Sequence, residues 1–129
     1  QGPVAQKIFY FWHSRGGNCV ASDFQYLYRL REEFEKQVDF WFVNLTGVDD
    51  EEKENAKAFA ELHKLDAGSI LMDVDEEAAT TMQLSKFCTI VLVSRDNYVF
   101  RKLEQDFDEG AVRAAITAML DKPLHRDYF

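Results

Sequence analysis

The sequence has few residues that cross-link or interrupt a chain, with two cysteines, two prolines and six glycines among 129 residues. Two cysteines are too few for a disulfide-scaffold protein, and their spacing is not that of a zinc cluster. No apolar run approaches the roughly 20 residues that a membrane-spanning helix needs. Basic residues are also scarce, 15 against 23 acidic ones, and the net charge of -8 makes nucleic acid an unfavourable partner.

What is abundant is apolar and aromatic material arranged in short runs. Hydrophobic residues make up 47% of the chain and aromatic residues 14%, a composition typical of a packed globular core. The length fits a single domain, and no internal repeat, low-complexity stretch or linker interrupts it. We therefore expect one domain over residues 7–121, preceded at 1–6 by an extension or cloning remnant and followed at 122–129 by a loosely held polar tail.

The pattern of apolar residues predicts alternating strands and helices. Short runs rich in aromatic and β-branched residues predict strands at 7–12, 38–45, 69–72, 89–93 and 98–103. Apolar residues at spacings of three and four predict helices at about 19–36, 50–65, 75–84 and 108–120. The turn Arg95-Asp96-Asn97 predicts a hairpin between the last two strands, Asp108 is the predicted N-cap of the final helix, and Pro123 follows its end.

This order of elements predicts an α/β fold with a central mixed β-sheet and helices on both faces. Strands that are separated by helices are expected to pair in parallel through right-handed crossovers. The closing hairpin is expected to add an antiparallel edge.

The order and the residues at its joints resemble the thioredoxin-like superfamily, and within it the TlpA or redoxin branch. The resemblance spans roughly 7–120 and depends on a strand ending in Phe11-Trp12, a cysteine opening the first helix, the strand at 39–44, and Ala58-Phe59-Ala60 on the inserted helix typical of that branch. The strand at 89–93, the turn and the last strand complete it. The resemblance implies the thioredoxin-like fold.

The resemblance also implies that the redox motif is degenerate. A Cys-x-x-Cys motif would follow the Phe-Trp pair, and here that stretch is Gly16-Gly17-Asn18-Cys19. Gly16 therefore occupies the position of the nucleophilic cysteine and has no side chain with which to attack a disulfide. The slot of the family's cis-proline holds Cys88, followed by Thr89. We expect a binding or structural module rather than an enzyme of the ordinary dithiol type.

The two cysteines leave three alternatives open. The resemblance brings Cys19 and Cys88 to the same edge of the sheet, where they are either two separate reduced thiols, a structural disulfide, or a redox-active or switching pair. The third alternative makes the chain an atypical thiol-disulfide oxidoreductase. A further alternative, copper or zinc carriage, would use the soft ligands Cys19 and Cys88 with His13, although a surface histidine is the simpler interpretation of His13.

The resemblance predicts a groove that binds extended peptide by strand addition. Its predicted lining is His13, Arg15, Gly16, Gly17, Asn18, Phe87 and Thr89. The expected partner is another protein or an extended peptide, and no cofactor is expected. The resemblance slightly favours export to the periplasm or outside the cell.

Overall fold

The structure, a computed structural model, describes residues 5–12, 21–44, 54, 57–58, 61, 70–72, 88–104 and 107–129. In chain order, its elements are β1 (Gln6–Trp12), α1 (Ala21–Glu33), β2 (Val38–Asn44), β3 (Ile70–Met72), β4 (Thr89–Val93), β5 (Val99–Leu103), α2 (Glu109–Asp121) and a 3₁₀ helix (His125–Tyr128). The predicted helix over 75–84 lies outside the described residues. Of the helix predicted over 50–65, residues 54, 57, 58 and 61 are described and are helical.

The described strands form a five-stranded sheet in the order β3-β2-β1-β4-β5. The strands β1, β2 and β3 run parallel, whereas β4 is antiparallel to β1 and β5 is antiparallel to β4. The expected mixed sheet is therefore confirmed, but the expectation that every helix-separated strand pairs in parallel is wrong for β4. In the sheet, β3 lies at one edge and β4 lies beyond β2 and β1, so β3 and β4 are not neighbours. The expectation of parallel pairing for adjacent strands joined by a helix therefore does not fix the direction of β4.

Both faces of the sheet are buried. On one face, alternate residues of β1, β2 and β4 pack against α1 and α2 and form a large aromatic and aliphatic cluster. On the opposite face, Phe11, Val43, Val91 and Val93 form a second cluster and are at most 6% exposed. Burial on both faces explains why the sequence of β4, TIVLV, is a continuous apolar run without alternation.

The helix α1 buries one stripe of its surface. Phe24, Leu27, Leu30 and Phe34 are all buried, as their spacing predicts. The helix itself ends at Glu33, three residues before its predicted end. Phe34 to Gln37 form turns instead, because the carbonyl of Phe34 accepts hydrogen bonds from the backbone N–H groups of Gln37 and Val38, which leads directly into β2.

The helix α2 is fixed at its start and along one side. The Asp108 side chain accepts a hydrogen bond from the backbone N–H of Ala111 at 2.8 Å, the N-cap predicted from the sequence. Its inward residues are Val112, Ala115, Ile116 and Met119. On its outer side, Glu109 accepts from Arg29 of α1 at 2.6 Å, and Arg113 pairs with Glu33 at 3.0 Å. These ion pairs orient the two helices and, being exposed, contribute little to stability.

The two ends of the domain differ from the predicted boundaries. Gln6 belongs to β1 rather than to an extension, since it is 1% exposed and its Nε2 donates to the carbonyl of Met119 at 2.8 Å. The expectation of a loose tail is also wrong. The backbone N–H of His125 donates to the Asp96 carboxylate, and the His125 ring stacks on Tyr98 with centroids 4.1 Å apart. These contacts hold the 3₁₀ helix against the hairpin.

Candidate functional site

The carboxyl ends of the parallel strands and the start of β4 meet at one edge of the sheet. Trp12 is paired with Asn44, and Phe11 is paired with Thr89, the residue that follows Cys88. Trp12, Asn44 and Thr89 are fully buried. The Asn44 Nδ2 donates to the Trp12 carbonyl at 3.5 Å, a long hydrogen bond that links the last residues of β1 and β2. This edge, the carboxyl edge, is therefore fully buried at Trp12, Asn44 and Thr89.

Cys88 lies at the carboxyl edge, next to Thr89. Its sulfur is in a disulfide, and no free cysteine occurs in the described part of the chain. The residue is half-buried and packs against the core beneath α1 and α2. For Cys88, the alternative of a separate reduced thiol is therefore wrong, and a sulfur in a disulfide is not the thiolate that a copper or zinc site requires.

The backbone of Cys88 is in the left-handed region, with φ 61°. A residue with a Cβ adopts this region at a cost of about 1–2 kcal/mol. The pairing of β4 with β1 immediately afterwards holds the chain in this conformation. The described cysteine is thus one of two described non-glycine residues with a positive φ, the other being Asn97.

A hydrogen bond links β1 to the first turn of α1 near the same region. The Tyr10 hydroxyl donates to the Asp23 carboxylate in the first turn of α1 at 3.0 Å. Burial, followed by the charge of Asp23, raises the pKa of Tyr10 well above its usual value, and the same causes raise the pKa of Tyr26. Both phenols are therefore neutral over the physiological range, and the Tyr10–Asp23 bond ties α1 to the centre of the sheet.

Aromatic packing completes this support. The Phe24 ring lies 5.2 Å from Tyr10 and 5.4 Å from Trp12, both in edge-on arrangements, and 5.6 Å from Phe42. The first turn of α1 is therefore fixed against the ends of β1 and β2.

Most of the predicted site residues lie outside the described residues. This holds for His13, Arg15, Gly16, Gly17, Asn18, Cys19 and Phe87. Of the predicted groove lining, Thr89 alone is described, and it is completely buried in the sheet. It pairs with Phe11 of β1.

Sequence reasoning missed Tyr10, Asp23 and Asn44 as parts of this region. Tyr10 was indistinguishable from its neighbours in an uninterrupted apolar run, and Asp23 matched the ordinary preference for acids in the first turn of a helix. The feature that marks this region is the hydrogen bond between the Tyr10 phenol and the Asp23 carboxylate. To predict it, one must know which face of the first strand and which face of the first helix are buried.

No helix within the described ranges is long and apolar enough to cross a membrane. The same residues contain no group of three or more histidine, cysteine, aspartate or glutamate side chains arranged to hold a metal ion.

Comparisons with known proteins agree on the fold. No protein-family profile and no curated protein matches the sequence. Among solved structures, a thiol:disulfide interchange protein DsbE from Chlorobium tepidum is 19% identical, with TM-score 0.76 over 92% of this chain and 82% of that one. A thiol-disulfide isomerase from Corynebacterium glutamicum is 15% identical, with TM-score 0.77 over 92% and 82%.

A third solved structure is a secreted disulfide oxidoreductase from Mycobacterium tuberculosis. It is 12% identical, with TM-score 0.71 over 88% of this chain and 81% of that one. Identities this low show the fold alone, and all three neighbours have the same one. The chain therefore has a thioredoxin-like fold.

Proposed function

We propose that this thioredoxin-like domain is an atypical thiol-disulfide protein whose redox pair is Cys88 and Cys19 instead of a Cys-x-x-Cys pair. The observation that carries the proposal is the disulfide at Cys88, positioned at the carboxyl edge on a strained backbone. Three structural neighbours are named for thiol-disulfide chemistry, which supports the same class of reaction.

The identity of the partner sulfur follows from composition and connectivity. The chain has two cysteines, so within one chain Cys19 is the candidate partner of Cys88. Cys19 precedes Ala21, the first residue of α1, by two positions, a reach of about 7 Å at most. Packing of Phe24 on Trp12 brings this end of α1 to the carboxyl edge, where Cys88 lies.

The strain at Cys88 supports a reducible bond. A left-handed cysteine is held in place by the pairing of β4 and by the cross-link itself, and both constraints oppose the relaxed backbone. Reduction removes one of these constraints and therefore relieves strain. Disulfides that are strained and partly exposed have higher reduction potentials than structural ones, and Cys88 is partly exposed.

The proposed reaction is an exchange with a substrate dithiol. A substrate thiolate attacks one sulfur of the pair, which forms a mixed disulfide and releases the other sulfur as a thiolate that takes up a proton. The second substrate thiol, on losing its proton, attacks the mixed disulfide and frees the second cysteine. The domain gains two electrons and two protons, and the substrate leaves as a disulfide.

A second candidate is a binding or structural module that carries a permanent disulfide. Gly16 at the position of the nucleophile favours it, and so does the packing of Cys88 against the main core. A cross-link between residues 19 and 88 would close a loop of about 70 residues and contribute about 3–5 kcal/mol to stability. Either candidate fits an oxidising compartment, and we propose export for this reason.

The reduction potential separates the two candidates. Purified protein is equilibrated in dithiothreitol or glutathione buffers, trapped by alkylation and weighed intact, with Cys19→Ser and Cys88→Ser as single-cysteine controls. We expect two alkyl groups to be added only after reduction, with a midpoint above about −300 mV. A midpoint well below that value supports the structural module instead, and two alkylated cysteines before any reduction contradict the disulfide in both candidates.

Turnover of a substrate gives the second readout. Because thiol-disulfide exchange is reversible, the proposal also predicts slow reduction of insulin when dithiothreitol regenerates the reduced protein, and loss of this activity in both serine variants. Phe129→Ala is the matched control, because this side chain is 94% exposed and distant in sequence from either cysteine. Equal rates in the parent and in Cys88→Ser would assign the activity to another source and contradict the proposed role of Cys88.

A further inference from the structure

The β5 end of the molecule differs from the rest in charge. We define the hairpin patch as residues 95–103 and 122–129, which together carry five basic and two acidic residues, a net charge of +3. The remaining residues include ten basic and 21 acidic ones, a net charge of -11. An acidic protein thus has a basic surface at one edge of its sheet.

The acids within the patch are already engaged by its own hydrogen-bond donors. Asp96 accepts from the Ser94 hydroxyl and from the backbone N–H of His125, and Asp127 accepts from the backbone N–H of Leu124 at 3.2 Å. In contrast, Arg95, Arg101 and Lys102 form no ion pair with any carboxylate in the described segments. Among the described residues, the patch therefore presents three cations without an ion-pair partner, whereas its Arg126 lies 3.9 Å from Asp127.

Exposed apolar side chains are concentrated in the same place. Tyr98, Val99 and Phe129 are 52%, 42% and 94% exposed, and they are the large hydrophobic side chains in the described ranges that reach this exposure. His125 connects two of them, since its ring stacks on Tyr98 and lies edge-on to Phe129 at 5.1 Å. Cations and exposed aromatic rings on one ordered surface are typical of a protein-binding site.

The backbone of β5 adds a surface with which another extended segment can pair. The strand β5 is the last strand of the sheet and pairs with β4 alone among the described strands. Arg101 and Lys102 lie on this strand, so pairing of two copies through β5 would bring like charges together. An extended segment with acidic residues meets no such repulsion, and its apolar residues can contact Val99 and Tyr98.

We propose that the outer edge of β5 and the hairpin patch bind an extended acidic segment of a partner protein by strand addition. The charge of the patch selects the acidic segment, and the exposed rings supply the apolar contact. An anionic membrane is disfavoured as the occupant because the molecule as a whole carries a charge of -8. The surface does not include Cys88 and operates in either redox state.

The test uses a synthetic octapeptide of alternating glutamate and valine with blocked ends, titrated into ¹⁵N-labelled protein and followed by backbone amide shifts. We expect the largest shifts at Val99–Leu103 and at Phe129, and weaker binding as salt is raised. Arg101→Glu is expected to raise Kd about fivefold or more. Lys57→Glu makes the same change in net charge at an exposed site outside the patch and is expected to leave Kd within about twofold.

Several outcomes would overturn the proposal. These are the absence of shifts along β5 at millimolar peptide, equal binding of a lysine–valine octapeptide, and equal weakening by Lys57→Glu. Binding of phosphatidylserine vesicles without binding of the acidic peptide would assign the patch to membranes, and dimerisation through β5 would assign it to a second copy. The same titration with Cys88→Ser separates this surface from the proposed redox pair, because the Kd is expected to be unchanged.

Discussion

Cys88 and Asn97 lie near opposite ends of β4, and both have a positive φ, 61° and 68°. Asn97 belongs to the hairpin turn, its side chain accepts from Lys7, and asparagine adopts this conformation more readily than most residues. Cys88 is instead in a disulfide. The same backbone angle is ordinary turn chemistry at one end of the strand and strain imposed by the fold at the other.

The two ends also differ in what they offer to other molecules. The carboxyl edge is buried at Trp12, Asn44 and Thr89 and leaves Cys88 partly accessible. The hairpin end has exposed rings and cations around Asn97. This contrast matches the two proposals, covalent exchange at Cys88 and reversible docking at the hairpin patch, and it predicts that the two ends behave independently.

The largest expected effect comes from the packing beneath the carboxyl edge. Phe24→Ala removes a ring that contacts Tyr10, Trp12 and Phe42, and it is expected to lower the unfolding free energy by about 3–5 kcal/mol. Urea unfolding followed by tryptophan fluorescence measures the change. Phe129→Ala at the hairpin end is the control and should cost less than about 0.5 kcal/mol. Similar losses in the two variants would contradict the contrast between the ends.

Alkaline pH gives the next effect. The pKa of Tyr10 is raised in the folded state above the value of about 10 in the unfolded chain, so ionisation favours unfolding. Its contribution is present below pH 10 and is lost above it, at about 1.4 kcal/mol per pH unit. Tyr10→Phe is therefore expected to make the fall in stability above pH 10 shallower. Identical slopes for the parent and Tyr10→Phe would show that Tyr10 does not control this loss.

Replacing the two left-handed residues sharpens the comparison between them. Without the disulfide, Cys88→Gly is expected to be more stable than Cys88→Ala by about 1 kcal/mol, since glycine adopts a positive φ without a steric penalty. Asn97→Gly against Asn97→Ala is the matched pair in the hairpin and should give a similar difference. A stability difference at Asn97 without one at Cys88 would mean that the left-handed conformation depends on the cross-link.

The smallest effect is expected at the hairpin itself. Lys7→Met removes the exposed 3.1 Å hydrogen bond from Nζ to the Asn97 side chain. We expect a change of at most about 0.5 kcal/mol in the unfolding free energy, because exposed polar contacts compete with water. A larger loss would indicate that this turn also depends on the surrounding fold, as Cys88 does.

Local patterns in the sequence predicted much of the fold. The strand at 89–93, the N-cap at Asp108 and the inward face of α2 were all correct, because each depends on a short run with one clear period. The predicted direction of β4 was wrong because it depends on which strand β4 lies beside, and the sequence pattern does not reveal that β4 pairs with β1. The tail was predicted to be loose because its anchor, Asp96, is 29 residues away from His125.

The candidate site was less accessible to sequence reasoning. Cys88 was identified from its resemblance to a family position, whereas its left-handed backbone and the Tyr10–Asp23 contact required coordinates. Neither feature produces a repeating pattern of apolar and polar residues in the sequence. The predictions for His13 to Cys19 and for Phe87 remain predictions, since those residues lie outside the described part of the chain.

The hydrogen bond from Gln6 to the carbonyl of Met119 joins positions 113 residues apart. It places the start of β1 beside the end of α2, so the chain enters and leaves this part of the fold at neighbouring positions. A domain of this shape can be spliced into a surface turn of a host protein without forcing the host's flanking segments apart.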